Sequence, residues 1–188
     1  MNRAWSLSIA LFALAAVSCG PDPVHSDAVA ALGPEQDGVA PGPTHRPGQP
    51  CLTCHGGSGP ADKVFSVAGT IFRAQNEDPP VGIQGAKVVL VDSTGTLPLT
   101  DPVTNEVGNF YIAQSDWTPV YPLRVRVDYK APKSGAYPVS PMTSIIGRDG
   151  SCAGCHKLTP DPATDAGTGP SQPGFIYIAT DKADPGLQ

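Results

Sequence analysis

The stretch 121–129, Tyr121-Pro122-Leu123-Arg124-Val125-Arg126-Val127-Asp128-Tyr129, alternates apolar and charged side chains with a period of two. Successive side chains of a strand point to opposite faces, so the pattern predicts a strand with one face buried and one in water. Four further runs rich in β-branched and aromatic residues carry the same expectation: 64–72, 86–91, 109–113 and 175–179. Turn chemistry separates them, at Asp92-Ser93-Thr94-Gly95, Asn105-Glu106-Val107-Gly108 and Lys133-Ser134-Gly135. No long amphipathic helix interrupts the series. Short strands joined by Gly and Pro turns predict a mainly β chain folded as a sandwich, with short helical or irregular segments between strands.

Composition agrees. The 188 residues include 21 Gly and 22 Pro, and only 6% are aromatic. That mixture suits turns better than long helices. The formal charge is −5 and no Lys/Arg run occurs, which excludes a nucleic-acid footprint and a polybasic membrane patch.

Three segments of the β-rich region, Val67-Ala68-Gly69-Thr70-Ile71, 82–90 and 104–110, resemble the carboxypeptidase regulatory-like domain. That resemblance implies a transthyretin-like or Ig-like sandwich of about seven strands. It covers roughly residues 64–129 and closes with the run at 175–179. Such sandwiches serve as spacers, adhesive modules and binding domains, so the fold alone assigns no function.

The N-terminus predicts export. Met1–Arg3 is positively charged, 4–17 is apolar, and the run is too short to span a bilayer. The residues Ala16-Val17-Ser18-Cys19 resemble a bacterial lipobox, with Ala16 where that family has Leu. The resemblance implies acylation of Cys19, and Gly20 after it implies outer-membrane sorting in a Gram-negative bacterium. The protein would then sit in the periplasm or at the cell surface, held to the membrane by lipid only. An ordinary cleaved signal peptide is the alternative. Residues 20–50 show no periodicity, and their prolines predict an extended tether. The expected organisation is a signal peptide over 1–18, a Pro/Gly-rich tether over 19–50, and a β-sandwich over 51–182.

Two copies of one motif sit on this frame: Cys51-Leu52-Thr53-Cys54-His55 and Cys152-Ala153-Gly154-Cys155-His156. A redox dithiol of the thioredoxin kind needs an α/β context, which neither copy has. Two Cys-x-x-Cys pairs have the arithmetic of a structural zinc site, or of two small disulfides in an oxidising compartment. Neither reading requires a histidine directly after each pair. Covalent haem attachment does: two cysteines hold the haem edge and the next residue, His, ligates iron. It also accounts for all five cysteines, four on haem and Cys19 on lipid.

The motifs resemble those of multihaem c-type cytochromes, which implies His55 and His156 as proximal ligands. Candidates for a sixth ligand are His45, six residues before Cys51, and Met142, ten before Cys152. An extended chain covers roughly 3.3 Å per residue, so both can reach a haem. His25, near the lipid end, reads as a bystander. The acidic residues at Asn76-Glu77-Asp78 and 161–165 read as solvated loop charge.

The expectation is an extracytoplasmic electron carrier with two covalent haems, working with redox partner proteins. Two alternatives stand beside it. One is a haem enzyme with an open iron position. The other is a non-redox surface module whose cysteines form disulfides or a zinc site.

Overall fold

The strand expected at 64–72 is the centre of the fold. A computed structural model describes residues 22–35, 37–132, 139–157, 174–179, 181–184 and 187. The signal peptide, Cys19, the turn at Lys133-Ser134-Gly135 and the acidic loop 161–165 lie outside those residues.

Strand β1 runs over Phe65–Ala74, followed by β2 (Lys87–Val91), β3 (Asn109–Ala113), β4 (Arg124–Asp128), β5 (Val139–Pro141) and β6 (Ile176–Ala179). They form two three-stranded sheets, ordered β3-β1-β6 and β2-β4-β5. The chain is therefore mainly β, as its composition predicts. β1 pairs antiparallel with β3, from Phe65 opposite Ala113 to Thr70 opposite Asn109, with an irregularity between Phe65 and Val67. It pairs parallel with β6 at Ile71 opposite Ile176. In the second sheet β2 lies antiparallel to β4, and β4 to β5.

The alternation read at 121–129 appears as geometry from Leu123 to Val127 and stops at Asp128, which is buried as its neighbours are and binds Arg126. Leu123 is fully buried and Val127 nearly so, while Arg124 and Arg126 reach towards water. Val67, Ile71, Val88, Leu90 and Leu123 form the most deeply buried part of one core cluster. Fully burying such a side chain contributes about 1.5–3 kcal/mol, so these few positions carry much of the driving force.

β1 differs from its neighbours because Val67 to Phe72 are all buried, whereas β2 and β3 alternate. Val67 and Ile71 enter the core cluster. The intervening side chains are covered from outside: Thr70 Oγ1 accepts the Gly48 N–H at 2.8 Å, and Phe72 stacks on Phe175 with ring centres 4.4 Å apart. A strand needs such a second layer to lose water on both faces.

That layer corrects one expectation. The segment read as an extended tether holds a helix, α1, over Pro23–Ala31. Asp22 caps it by accepting the Val24 N–H, and Pro23 opens its first turn. Proline lacks only an N–H that the first turn leaves unused, so it starts this helix rather than blocking it. A one-turn helix, α2, covers Leu52–His55, and α1 packs against it. Among the described residues no helix is long and apolar enough to cross a membrane.

Candidate haem-attachment sites

Both motifs fold into the same single turn. The His55 N–H donates to the Cys51 carbonyl at 2.9 Å, and the Cys54 N–H to the same oxygen at 3.2 Å. In the second motif the His156 N–H donates to the Cys152 carbonyl at 2.9 Å, and the Cys155 N–H at 3.2 Å. Helical geometry sets residues i, i+3 and i+4 on one face, so each turn gathers two sulfurs and an imidazole on one side. The first copy is the helix α2 and the second a 3-10 turn over Cys152–Gly154.

The imidazoles are fixed alike. His55 Nδ1 lies 2.7 Å from the Lys63 carbonyl oxygen, and His156 Nδ1 lies 2.8 Å from that of Gly174. A carbonyl oxygen only accepts, so Nδ1 carries a proton, and the neutral form of either ring has its lone pair on Nε2. That is the tautomer a metal ligand needs, oriented by a backbone partner as ligating histidines usually are.

β1 is the element both motifs share. The His55 ring stacks on Phe65 with centres 4.2 Å apart, and Phe65 stacks in turn on Tyr111 at 4.4 Å. The second motif enters along the edge of β1, where the Ala68 N–H donates to the Gly150 carbonyl at 3.0 Å and Ser151 bridges to Ala68. Cys152 then packs on Gly69: a methyl group there would lie 2.7 Å from Cys152 Cβ and 2.8 Å from its Sγ. Gly150 is tied as closely, since a methyl there would fall 2.0 Å from the Ser66 carbonyl oxygen. Only glycine admits backbone this near.

The first thiol of each motif is not activated. Burial is the main cause that pushes Cys152 up to about 12, and the nearby Cys51 sulfur adds to it. Burial likewise raises Cys51 to about 11. Redox dithiols have the reverse property, a lowered pKa on the attacking thiol, which neither Cys51 nor Cys152 shows. All four cysteines are unpaired, and among the described residues no three Cys, His, Asp or Glu side chains converge as a metal cluster.

Each motif borders its own cleft. The first, of about 490 Å³, is lined by Cys51, Cys54, His55, His45, Phe65 and Tyr111 among others. The second, of about 730 Å³, is lined by Cys152, Cys155, His156, Met142, Ser151 and Ile176 among others. Both volumes fall in the range of cofactor sites. Ser151 is buried and its hydroxyl has no hydrogen-bond partner, which leaves a polar atom unpartnered beside the second motif. Two sulfurs, an imidazole bound through Nδ1 to a backbone carbonyl, and a cleft are present at each motif, so the residues fit a covalent haem.

Of the expected distal ligands, His45 is brought to the first motif, its ring centre 5.9 Å from that of His55. Its Nδ1 meets the Gly42 backbone, the carbonyl being the nearer partner. Met142 is brought to the second cleft, and its N–H donates to the Val125 carbonyl at 3.0 Å. His25 lies on α1 with its Nε2 buried and unpartnered. Sequence reasoning missed the backing rings Phe65 and Tyr111, and the carbonyls of Lys63 and Gly174. The rings were legible only as strand residues. Backbone carbonyls leave no trace in residue identity. No family model matches the chain, and neither a curated protein nor a solved structure is significantly similar to it.

Proposed function

We propose that the chain is an extracytoplasmic electron-transfer protein, an electron carrier rather than a catalyst, with two covalent c-type haems on a transthyretin-like β-sandwich. The observation that carries this reading is the duplication. Two motifs about a hundred residues apart in sequence take one backbone turn, and each presents its histidine with Nδ1 bound to a backbone carbonyl. Neither a disulfide nor a zinc–thiolate reading gives those histidines a reason to be held that way.

Cys51 and Cys54 would hold one haem as thioethers with His55 on the iron, and Cys152, Cys155 and His156 the other. When bound, each haem supplies one-electron exchange between ferrous and ferric iron. The chain's own residues hold and position. Lys63 and Gly174 hold the imidazoles through Nδ1, Phe65 backs the His55 ring, and Cys152 packs closely against Gly69. Acylation at Cys19 would anchor the protein to the outer membrane from the periplasm or cell surface, where redox partner proteins exchange electrons with it.

Mass spectrometry of the full chain, exported from a host with haem-attachment machinery, tests the reading. Two haem increments are expected, and Cys51→Ala with Cys54→Ala should remove one of them. The same measurement checks for acyl chains on Cys19. A colourless protein at its unmodified mass, with the four thiols in disulfides or bound to zinc, would sink it.

A further inference from the structure

We infer that the two sites are electronically unequal, with His45 the second axial ligand at the first motif and Met142 at the second. The inference rests on the haem reading and gives each site a distinct place in the electron balance.

The donors are already sorted by the fold. The chain has four histidines and, apart from Met1, one methionine. His45 borders the first cleft with His55, and their ring centres stand 5.9 Å apart. Metal–imidazole bonds are about 2 Å, which puts ring centres roughly 6 Å apart when two imidazoles share one ion from opposite sides. The two rings therefore stand at the separation a shared ion requires. The backbone around His45 is tied to the sheet: Asn109 Nδ2 donates to the His45 carbonyl at 2.9 Å, and, three residues on, the Gly48 N–H donates to Thr70 Oγ1 at 2.8 Å.

The second cleft is lined by no histidine besides His156. Met142 lines it from the chain just after β5, held to β4 through the Val125 carbonyl. Its thioether is a soft donor suited to haem iron.

Methionine opposite histidine raises the potential of a haem relative to paired histidines. A single electron placed on the oxidised protein therefore rests at the second site. The first site is the one that gives up its electron more readily.

The test is a potentiometric titration of the full haem-loaded chain with dithionite as reductant, followed by optical and near-infrared spectra. Two separate one-electron steps are expected, with the methionine–ferric iron charge-transfer band lost as the upper step is reduced. Met142→His should abolish that band and shift only the upper midpoint downward. His45→Met should shift only the lower midpoint upward. Matching far-UV circular dichroism and two retained haem increments keep each variant interpretable, and Met142→Ala supplies the same band readout should Met142→His misfold. Coincident midpoints, no charge-transfer band in the parent protein, or a Met142 variant that moves the lower step would overturn the assignment while leaving the two-haem reading standing. A chain with no haem increment would overturn both.

Discussion

Gly69 shows how one residue can decide whether a motif has a place to sit. Its absent side chain is where Cys152 packs, with the Phe110 ring 3.1 Å from where a methyl would stand. Cβ and backbone cannot swing aside as a long side chain can. Gly69→Ala should therefore cost about 1–3 kcal/mol in urea unfolding, the usual range for overpacking. It should also lower haem occupancy at the second motif and leave the first intact, read from peptide-resolved masses. Equal stability and full occupancy would mean that Cys152 does not depend on this contact. The sequence marked Gly69 only as part of a strand. A glycine required by close approach looks the same in a sequence as one tolerated by chance, and only the partner arriving from residue 152 separates them.

Elements were legible where their strand-forming residues run long enough to register. β1, β2, β3 and β6 were visible as runs rich in β-branched and aromatic residues, and β4 as an alternation of apolar and charged ones. β5 was not, since Val139–Pro141 is three residues long and ends in proline, too short for a period to register. α1 was missed for another reason: Asp22 before Pro23 is a helix-start signal, but the density of prolines around it read as a breaker. The turn at Asp92, by contrast, was legible, and its chemistry goes further than the turn. Asp92 Oδ1 accepts from the Thr94 N–H at 2.9 Å, the Thr94 hydroxyl at 2.7 Å and the Thr96 N–H at 2.8 Å, while Oδ2 accepts from Val120 at 3.1 Å. The Thr94 hydroxyl foremost, with those N–H groups, pulls its pKa from the ordinary 3.8 down to about 2. A lowered folded-state value stabilises the fold above the unfolded pKa, and that share is lost as pH falls through the folded one. Asp92→Asn should thus unfold at lower urea at neutral pH, and its midpoint should fall less steeply than the parent's between about pH 4 and about pH 2. Parallel midpoint curves for the two proteins would show that the turn does not depend on the charge.

At the scale of the molecule, the motifs were legible and their company was not. Repetition of Cys-x-x-Cys-His is written in residue identity. That both copies lean on β1, and that His45 and Met142 divide between two clefts, follows from chain paths that only folding sets. Arg46 secures one of those paths. Its Nε donates to Glu35 at 2.8 Å, Nη1 to the Leu32 carbonyl at 3.1 Å and to Gln49 at 2.8 Å, and Nη2 to the Gly33 carbonyl at 2.7 Å. The same residue holds φ at 51°, a left-handed conformation that a non-glycine residue keeps only when its surroundings hold it. Arg46→Ala should speed hydrogen exchange and proteolysis across 22–45 while β1 to β4 remain protected. Unchanged exchange there would show that other contacts suffice. The clamp also sets a distance. Were Cys19 acylated as proposed, a free chain from there to residue 50 would let the haems range roughly 100 Å from the bilayer. The fold instead ties the chain from Asp22 onward, and three residues can span at most about 10 Å. On the proposed reading, a partner would then have to come to the bilayer surface to trade electrons, because so short a line could not carry the protein out to meet it.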